Sequence, residues 1–196
     1  MFTGIVQSVG IIKQIEHKDN EIKLVIDAKK LYKKTKIGDS VCVNGICLTI
    51  YKKQKYLYFY AMPETIEKTT ISNWKINDIL NLELALKAND FLGGHWVTGH
   101  VDGTAKLINK EYIQSSLLLK FSAKSLILNN IIDKGSITID GISLTIVEHN
   151  NEWFSVCIIE HTQEVTNITK LQVNDLVNIE TDYFVKIIKS NMEKIK

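Results

Sequence analysis

Short runs of alternating apolar and polar residues, separated by turn-forming residues, recur along most of the chain. Lys23–Asp27, Ser40–Ile50, Lys55–Ala61 and Leu80–Leu84 are rich in β-branched and aromatic side chains, which predicts strands. Asn44-Gly45 and Asp140-Gly141 each stand between alternating apolar residues, the pattern of a tight hairpin turn. Lysine-rich Ala28–Lys36 and apolar Ala123–Ile132 each predict a short helix. The period changes at the end of the chain. Phe184, Ile187, Ile188, Met192 and Ile195 fall at helical spacing, with Lys186, Lys189, Glu193 and Lys194 between them. This predicts an amphipathic helix whose apolar stripe either folds back on its own barrel or meets another chain; the second reading makes it an oligomerisation helix.

The pattern also repeats on a larger scale. Ser40–Ile50 aligns without gaps on Ser136–Ile146, and six of the eleven positions are identical. Thr3-Gly-Ile-Val6 matches Thr98-Gly-His-Val101. Thr65, Glu67 and Thr69 match Thr162, Glu164 and Thr166, and Asn77–Glu83 matches Asn174–Glu180. The four matches are collinear, with an offset that drifts only from 95 to 97. The chain is a duplication. Many short strands in about ninety residues per copy suggest a small closed barrel or sandwich. Lys87–Trp96 is the linker, with Gly93-Gly94 as its joint.

Composition narrows the picture little. The chain has 196 residues, is 45% hydrophobic and 23% charged, and carries a formal charge of +2. No strong field points to a nucleic-acid or membrane partner. All 24 basic side chains are lysines, so the bidentate fork of arginine is not available for anion recognition. The opening MFTGIVQSVG has no charged leader and no run is long enough to span a membrane. Cys42, Cys47 and Cys157 are odd in number and lack metal-type spacing, so free thiols and a cytoplasmic location are expected.

Candidate chemistry comes from the places where the two copies differ. A residue needed for packing tends to stay similar in both. Asn44/Asp140, Cys47/Ser143 and Ile5/His100 instead diverge toward groups that donate, accept or transfer protons. Taken singly, a strand cysteine is a small buried hydrophobe and a strand serine is structural. His95 and His100 are five apart and have no thiolate or carboxylate at metal spacing, so no metal is expected. His95 reads as a structural histidine with a hydrogen-bonded ring. His100, next to Gly99, reads as an exposed acid or base.

MFTGIV, Asn-Gly-Ile-Cys-Leu-Thr, the Gly-Gly-His-Trp-Val-Thr-Gly-His-Val-Asp linker, Lys134-Gly-Ser-Ile, Asp140-Gly-Ile-Ser-Leu-Thr and Ile159-Glu-His-Thr together resemble the α-chain type of riboflavin synthase, a lumazine-binding two-barrel family. The resemblance runs from Met1 to the start of the tail helix. It implies an all-β fold of two homologous six-stranded antiparallel Greek-key barrels, residues 1–90 and 95–183, with a C-terminal α-helix, 184–196, that assembles a homotrimer. It implies a dismutation without cofactor: one 6,7-dimethyl-8-ribityllumazine gives a four-carbon unit to a second, yielding riboflavin and a ribitylamino-pyrimidinedione. The active site is expected between the first barrel of one subunit and the second barrel of its neighbour.

Carried over by motif, one pocket is expected from Gly4, Ile5, Val6, Ser40, Cys47, Leu48, Thr49, Ala61, Met62, Pro63, Glu64 and Thr65, with Phe2 at its mouth. The other is expected from Gly99, His100, Val101, Ser143, Leu144, Thr145, Ile158, Ile159, Glu160, His161, Thr162 and Gln163, with Lys134 nearby. His100, Ser143, Cys47 and Asp182 are assigned to the chemical step. Lys134 and Asp182 owe their roles to the resemblance alone. Glu160 stands where the family often has proline, and the loss of a fixed φ is expected to loosen that loop. Two rival functions are a non-catalytic lumazine- or flavin-binding antenna protein and a barrel for single-stranded nucleic acid. Tyr56, Tyr58, Phe59 and Tyr60 beside Lys52, Lys53 and Lys55 give the latter its only foothold.

Overall fold

The computed structural model describes residues 1–18 and 20–195. Lys196 and the side chains of Glu193 and Ile195, all within the expected tail helix, lie outside what is described. The first copy contributes strands β1 (Ser8–Lys18), β2 (Glu21–Asp27), β3 (Ser40–Val43), β4 (Ile46–Thr49), β5 (Lys52–Lys53), β6 (Leu57–Ala61) and β7 (Ile79–Leu84). The second contributes β8 (Gly103–Ile113), β9 (Ser116–Ala123), β10 (Ser136–Ile139), β11 (Ile142–His149), β12 (Trp153–Ile158) and β13 (Leu176–Thr181). Among the described residues, α1 (Pro63–Lys68), α2 (Ser125–Leu128) and α3 (Glu160–Val165) lie between strands, and α4 (Tyr183–Ile195) follows the last one.

The second copy closes into a six-stranded barrel in the order β10-β11-β12-β9-β8-β13. The first runs β4-β3-β7-β1-β2-β6-β5, which is the same circular order with one strand cut in two. The six-strand order is thus shared, with one strand divided in the first copy. Its sheet is seven-stranded, because the segment matching β11 is interrupted at Ile50 and Tyr51. Ile50 N still donates to Asp39 O (2.9 Å) on the β3 side, and Tyr51 N to Tyr58 O (3.1 Å) on the β6 side. In the second copy, β11 spans both neighbours through a register shift between Ile146 and Glu148.

Alternation places one face of each strand inward. Ile12, Leu24, Ile26, Leu57, Phe59 and Leu80 fill the first core. Leu107, Leu119, Phe121, Ile137, Ile139 and Phe154 fill the second. Each such side chain contributes roughly 1.5–3 kcal/mol through burial.

The two hairpin tips meet back to back. Asn44 (φ 44) and Gly45 (φ 83), like Asp140 (φ 45) and Gly141 (φ 79), hold the left-handed turn the sequence demands. A side-chain carbon on Gly45 would lie 3.0 Å from Gly141 N. Around this contact, Asn44 Oδ1 accepts from Asn81 N (2.6 Å) and Asp140 Oδ1 from Asn178 N (2.8 Å). The Asn81 and Asn178 amides then donate across to the opposite hairpin, at Asp140 O (2.9 Å) and Asn44 O (2.8 Å). A buried, nearly two-fold symmetric polar network thus joins the copies.

Glu160 starts α3 as Pro63 starts α1, and both helices have six residues. An acidic side chain in a first helical turn is favoured by the helix dipole. On α4, Lys186 Nζ reaches Asp102 Oδ1 (2.9 Å) and Lys189 Nζ reaches Asn129 O (2.8 Å). Its lysines thus touch its own barrel, while Phe184, Ile188 and Met192 remain about 60% exposed. No helix among the described residues is long and apolar enough to cross a membrane.

Candidate functional site

Each copy begins with a Thr-Gly step held by a buried carboxylate. Glu83 accepts from Thr3 N (2.6 Å), Thr3 Oγ1 (2.7 Å) and Gly4 N (2.9 Å). Glu180 does the same for Thr98 N (2.7 Å), Thr98 Oγ1 (2.5 Å) and Gly99 N (2.9 Å). Burial pushes both carboxyls above their usual range, and the bonds from the Thr-Gly steps pull the other way. The clamps fix where the next residues, Ile5 and His100, emerge.

They emerge on the opposite copy. Ser143 N donates to Gly4 O (2.7 Å), and Cys47 N donates to Gly99 O (2.9 Å). Both glycines have φ near +75, and a side-chain carbon on either would lie 2.6 Å from Cβ of the facing Ser143 or Cys47. Val101 joins the first core and Val6 packs on the second. The sequence reading grouped Gly4, Ile5 and Val6 with Cys47, and Gly99, His100 and Val101 with Ser143. The structure exchanges these two groups.

The Cys47 side is a cavity of about 620 Å³. Cys47, Glu64, Thr65, Gly99, His100 and Val101 line it, as do Ile46, Lys68, Thr69, Asp102, Leu126, Asn130, Tyr183 and Lys186, which the sequence reading had not placed there. Lys68 beside Glu64 (2.8 Å) lowers the pKa of this exposed carboxylate. Asp102 accepts from Thr181 N and Thr181 Oγ1, both at 2.8 Å, and pairs with Lys186 of α4. It was legible by the same divergence test as His100, since Gln7 stands in its place in the first copy and accepts from Leu84 N (3.2 Å).

The Ser143 side has different chemistry. Ser143 Oγ lies 2.7 Å from His95 Nδ1, whose Nε2 lies 3.1 Å from Thr138 Oγ1. Burial lowers the His95 pKa, and the negative charge of Asp182 opposes this. His95 thus has the hydrogen-bonded ring expected of a structural histidine, but its partner is a candidate site residue. Ile5, Ile159, Glu160 and His161 lie exposed, with Thr162 and Gln163 half-buried. Gln163 Nε2 donates to Ser115 O (2.9 Å) and Ile158 O (3.0 Å). Lys134 and Asp182 line a neighbouring cavity of about 290 Å³ with Phe184 and Ile188. Asp182 Oδ1 accepts from Phe184 N (2.8 Å) at the start of α4.

Several expected lining residues turn away. Phe2 is fully buried between the copies, bridged to Val97 and packed beside Cys42, so it does not stand at a pocket mouth. Leu48, Ala61 and Ile158 point into the barrel cores and offer a ligand only their backbone. Ser40 and Leu144 are half-buried and Thr49 and Thr145 exposed, as strand alternation requires. Met62 and Pro63 line a shallow exposed depression with Lys18, Asn20 and Glu21. A further cleft of about 630 Å³ lies below the hairpin tips; it contains Asn44 and Asp140 but none of the other candidate residues. Among the described residues, no group of three or more His, Cys, Asp or Glu could hold a metal ion.

Comparison with known proteins identifies this geometry. The lumazine binding domain family matches residues 3–85 and again 98–182. A riboflavin synthase of Actinobacillus pleuropneumoniae is 40% identical over 99% of this chain and 91% of that protein. A riboflavin synthase of Schizosaccharomyces pombe is 34% identical over 98% and 94%. Among solved structures, LumP complexed with riboflavin superposes with a TM-score of 0.86 at 28% identity, covering 92% of this chain and 99% of that one. LumP complexed with 6,7-dimethyl-8-(1'-D-ribityl) lumazine gives 0.84 at 27%, with the same coverage.

Proposed function

The chain belongs to the lumazine-binding family of riboflavin synthases, enzymes of the transferase class, and from that membership we propose that it converts two molecules of 6,7-dimethyl-8-ribityllumazine into riboflavin and 5-amino-6-(D-ribitylamino)uracil. The observation that carries the proposal is the exchange between copies. It builds two equivalent sites, one on Cys47 with Gly99 and His100, the other on Ser143 with Gly4 and Ile5. Two like sites suit a reaction that joins two copies of one molecule.

No residue of the Ser143 cluster lines the Cys47 cavity. The two sites are thus separately lined, and in this reading the reacting pair is formed by lumazines bound to two different chains. The exposed apolar stripe of α4 supports assembly, and a cytoplasmic homotrimer is the state we propose. Residues 1–90 and 95–183 then serve as one lumazine-binding unit each, and 184–196 as the assembly helix.

In this reading ring faces lie against Ile5, Val6, Ile159 and Val101, and backbone groups of the Cys47–Thr49 and Ser143–Thr145 strands bond the pyrimidine edges. Cys47, His100, Ser143 and Asp182 serve the chemical step, which comprises proton transfer and addition at C7. The C7 methyl is already acidic, because the electron-poor ring delocalises the carbanion, so no extreme base is required. Holding two rings in register contributes about 7–11 kcal/mol. Acid and base groups add roughly 3–5 kcal/mol.

The test is incubation of the purified protein with 6,7-dimethyl-8-ribityllumazine and no added cofactor. Riboflavin is expected at one molecule per two lumazines consumed. A fluorescent complex that yields no riboflavin over hours would instead make the chain a non-catalytic antenna.

A further inference from the structure

The Ser143 and Cys47 sites differ in one respect that the repeat does not explain: Ser143 has a histidine bonded to its reactive atom. His95 comes from the linker between the two copies. The linker is fitted to this place. A side-chain carbon on Gly94 would lie 2.1 Å from Thr3 O and 2.9 Å from Ser143 Oγ, so only glycine lets the next residue bring its ring against the serine.

The ring has two nitrogens, and its neutral form carries one hydrogen. Which nitrogen holds it follows from Thr138. That side chain is 1% exposed, and among the described residues its hydroxyl has one hydrogen-bond partner, His95 Nε2. If Nε2 carried the hydrogen, it would donate to Thr138, and the threonine hydrogen would be buried with no acceptor, a costly arrangement. If Thr138 donates to Nε2, every buried group is satisfied. The hydrogen then sits on Nδ1 and points at Ser143 Oγ, 2.7 Å away.

We propose that His95 is a positioning residue of the second lumazine site: its Nδ1–H donates to Ser143 Oγ, so that the Ser143 hydroxyl hydrogen is presented to an acceptor atom on the bound heterocycle. Neither residue takes a proton from the ligand. Ser143 instead stabilises negative charge on the ring once the methyl proton has left, which a hydroxyl polarised by a second donor does well. The equivalent Cys47 has no such support, and the two sites divide the reaction unequally. The identity of the ligand rests on the function proposed above; the direction of the His95 hydrogen bonds does not.

Nitrogen-15 NMR of histidine-labelled full-length protein near neutral pH reads the tautomer directly. An Nδ1–H tautomer for His95 is expected, and an Nε2–H tautomer would overturn the proposal without any variant having to fold. The second arm compares His95→Asn, whose amide can donate from near the Nδ1 position, with His95→Gln, which reaches toward Thr138 instead. Riboflavin affinity is expected within about threefold of the parent for H95N and about tenfold weaker for H95Q, the worth of one hydrogen bond. The opposite ranking, or equal losses, would overturn it. A parent protein that binds riboflavin but makes none would sink the proposed reaction and leave both arms readable.

Discussion

Asp140 is the one acidic residue in the polar network between the hairpin tips, and its twin is Asn44. Burial pushes its carboxyl from 3.8 up to about 7, offset only in part by the bond from Asn178 N. A carboxyl raised on folding favours the protonated native state. Its penalty is absent below the unfolded pKa, grows as pH rises from 3.8, and is complete above about 7. The full shift corresponds to about 4 kcal/mol. Between about pH 5 and about pH 8 the penalty grows by about 2.5 kcal/mol. Asp140→Asn removes the ionisation and keeps the acceptor that Asn178 N needs, as Asn44 does for Asn81 N. Its Tm advantage over the parent should therefore widen by about 5–10 °C between those two pH values, for a chain of this size. Glu83 and Glu180 are also raised by burial, but they are present in both proteins and cancel in the difference. Thermal unfolding by circular dichroism across the range is the assay. An advantage that does not change with pH would mean that Asp140 does not titrate in this window and that the burial argument is wrong.

Other consequences are as direct. Gly99→Ala combines φ near +77 with a carbon 2.6 Å from Cys47 Cβ, so it should cost about 1–3 kcal/mol and weaken riboflavin binding. Gly38→Ala shares the backbone strain (φ +90) but meets nothing within 4 Å, so it should cost roughly 1–2 kcal/mol of stability and leave binding intact; equal binding losses would contradict this. Alkylation should label exposed Cys157 first, Cys47 next and Cys42 last, since Cys42 is buried and burial raises its pKa strongly. Added riboflavin should slow the second event only, and mass spectrometry of timed samples would reveal any other order. Truncation after Asp182 should lower both the solution mass and the turnover; a truncated chain that stays oligomeric and fully active would refute the role given to α4.

The duplication was legible because strand pairing within a barrel is written in local periodicity and turn residues. Asn44-Gly45 and Asp140-Gly141 announced their hairpins, and the shared circular order of the two sheets follows from the collinear repeat. The exchange of Gly4 and Gly99 between copies was not legible. It depends on two backbone bonds between segments far apart in the chain, Ser143 N to Gly4 O and Cys47 N to Gly99 O, and backbone groups leave no mark in the identity of a residue. The same exchange buries Phe2, which pattern alone could not assign to the seam between the copies. The long strands β1 and β8 and the short helices α1 and α3 were also missing from the sequence reading; six-residue helices carry too little periodicity to stand out. Asp102 was within reach, because it diverges from Gln7 as His100 does from Ile5. His95 was seen as structural because its meaning lies in what it touches.

Co-crystallisation of the full-length chain with riboflavin would probe the whole scheme at once. The scheme predicts one ring against Cys47 and His100, another against Ser143 and Ile5, and the two sites of different chains brought face to face. A single ring per chain, or a ring lodged in the cleft below the hairpin tips with both proposed sites empty, would contradict it.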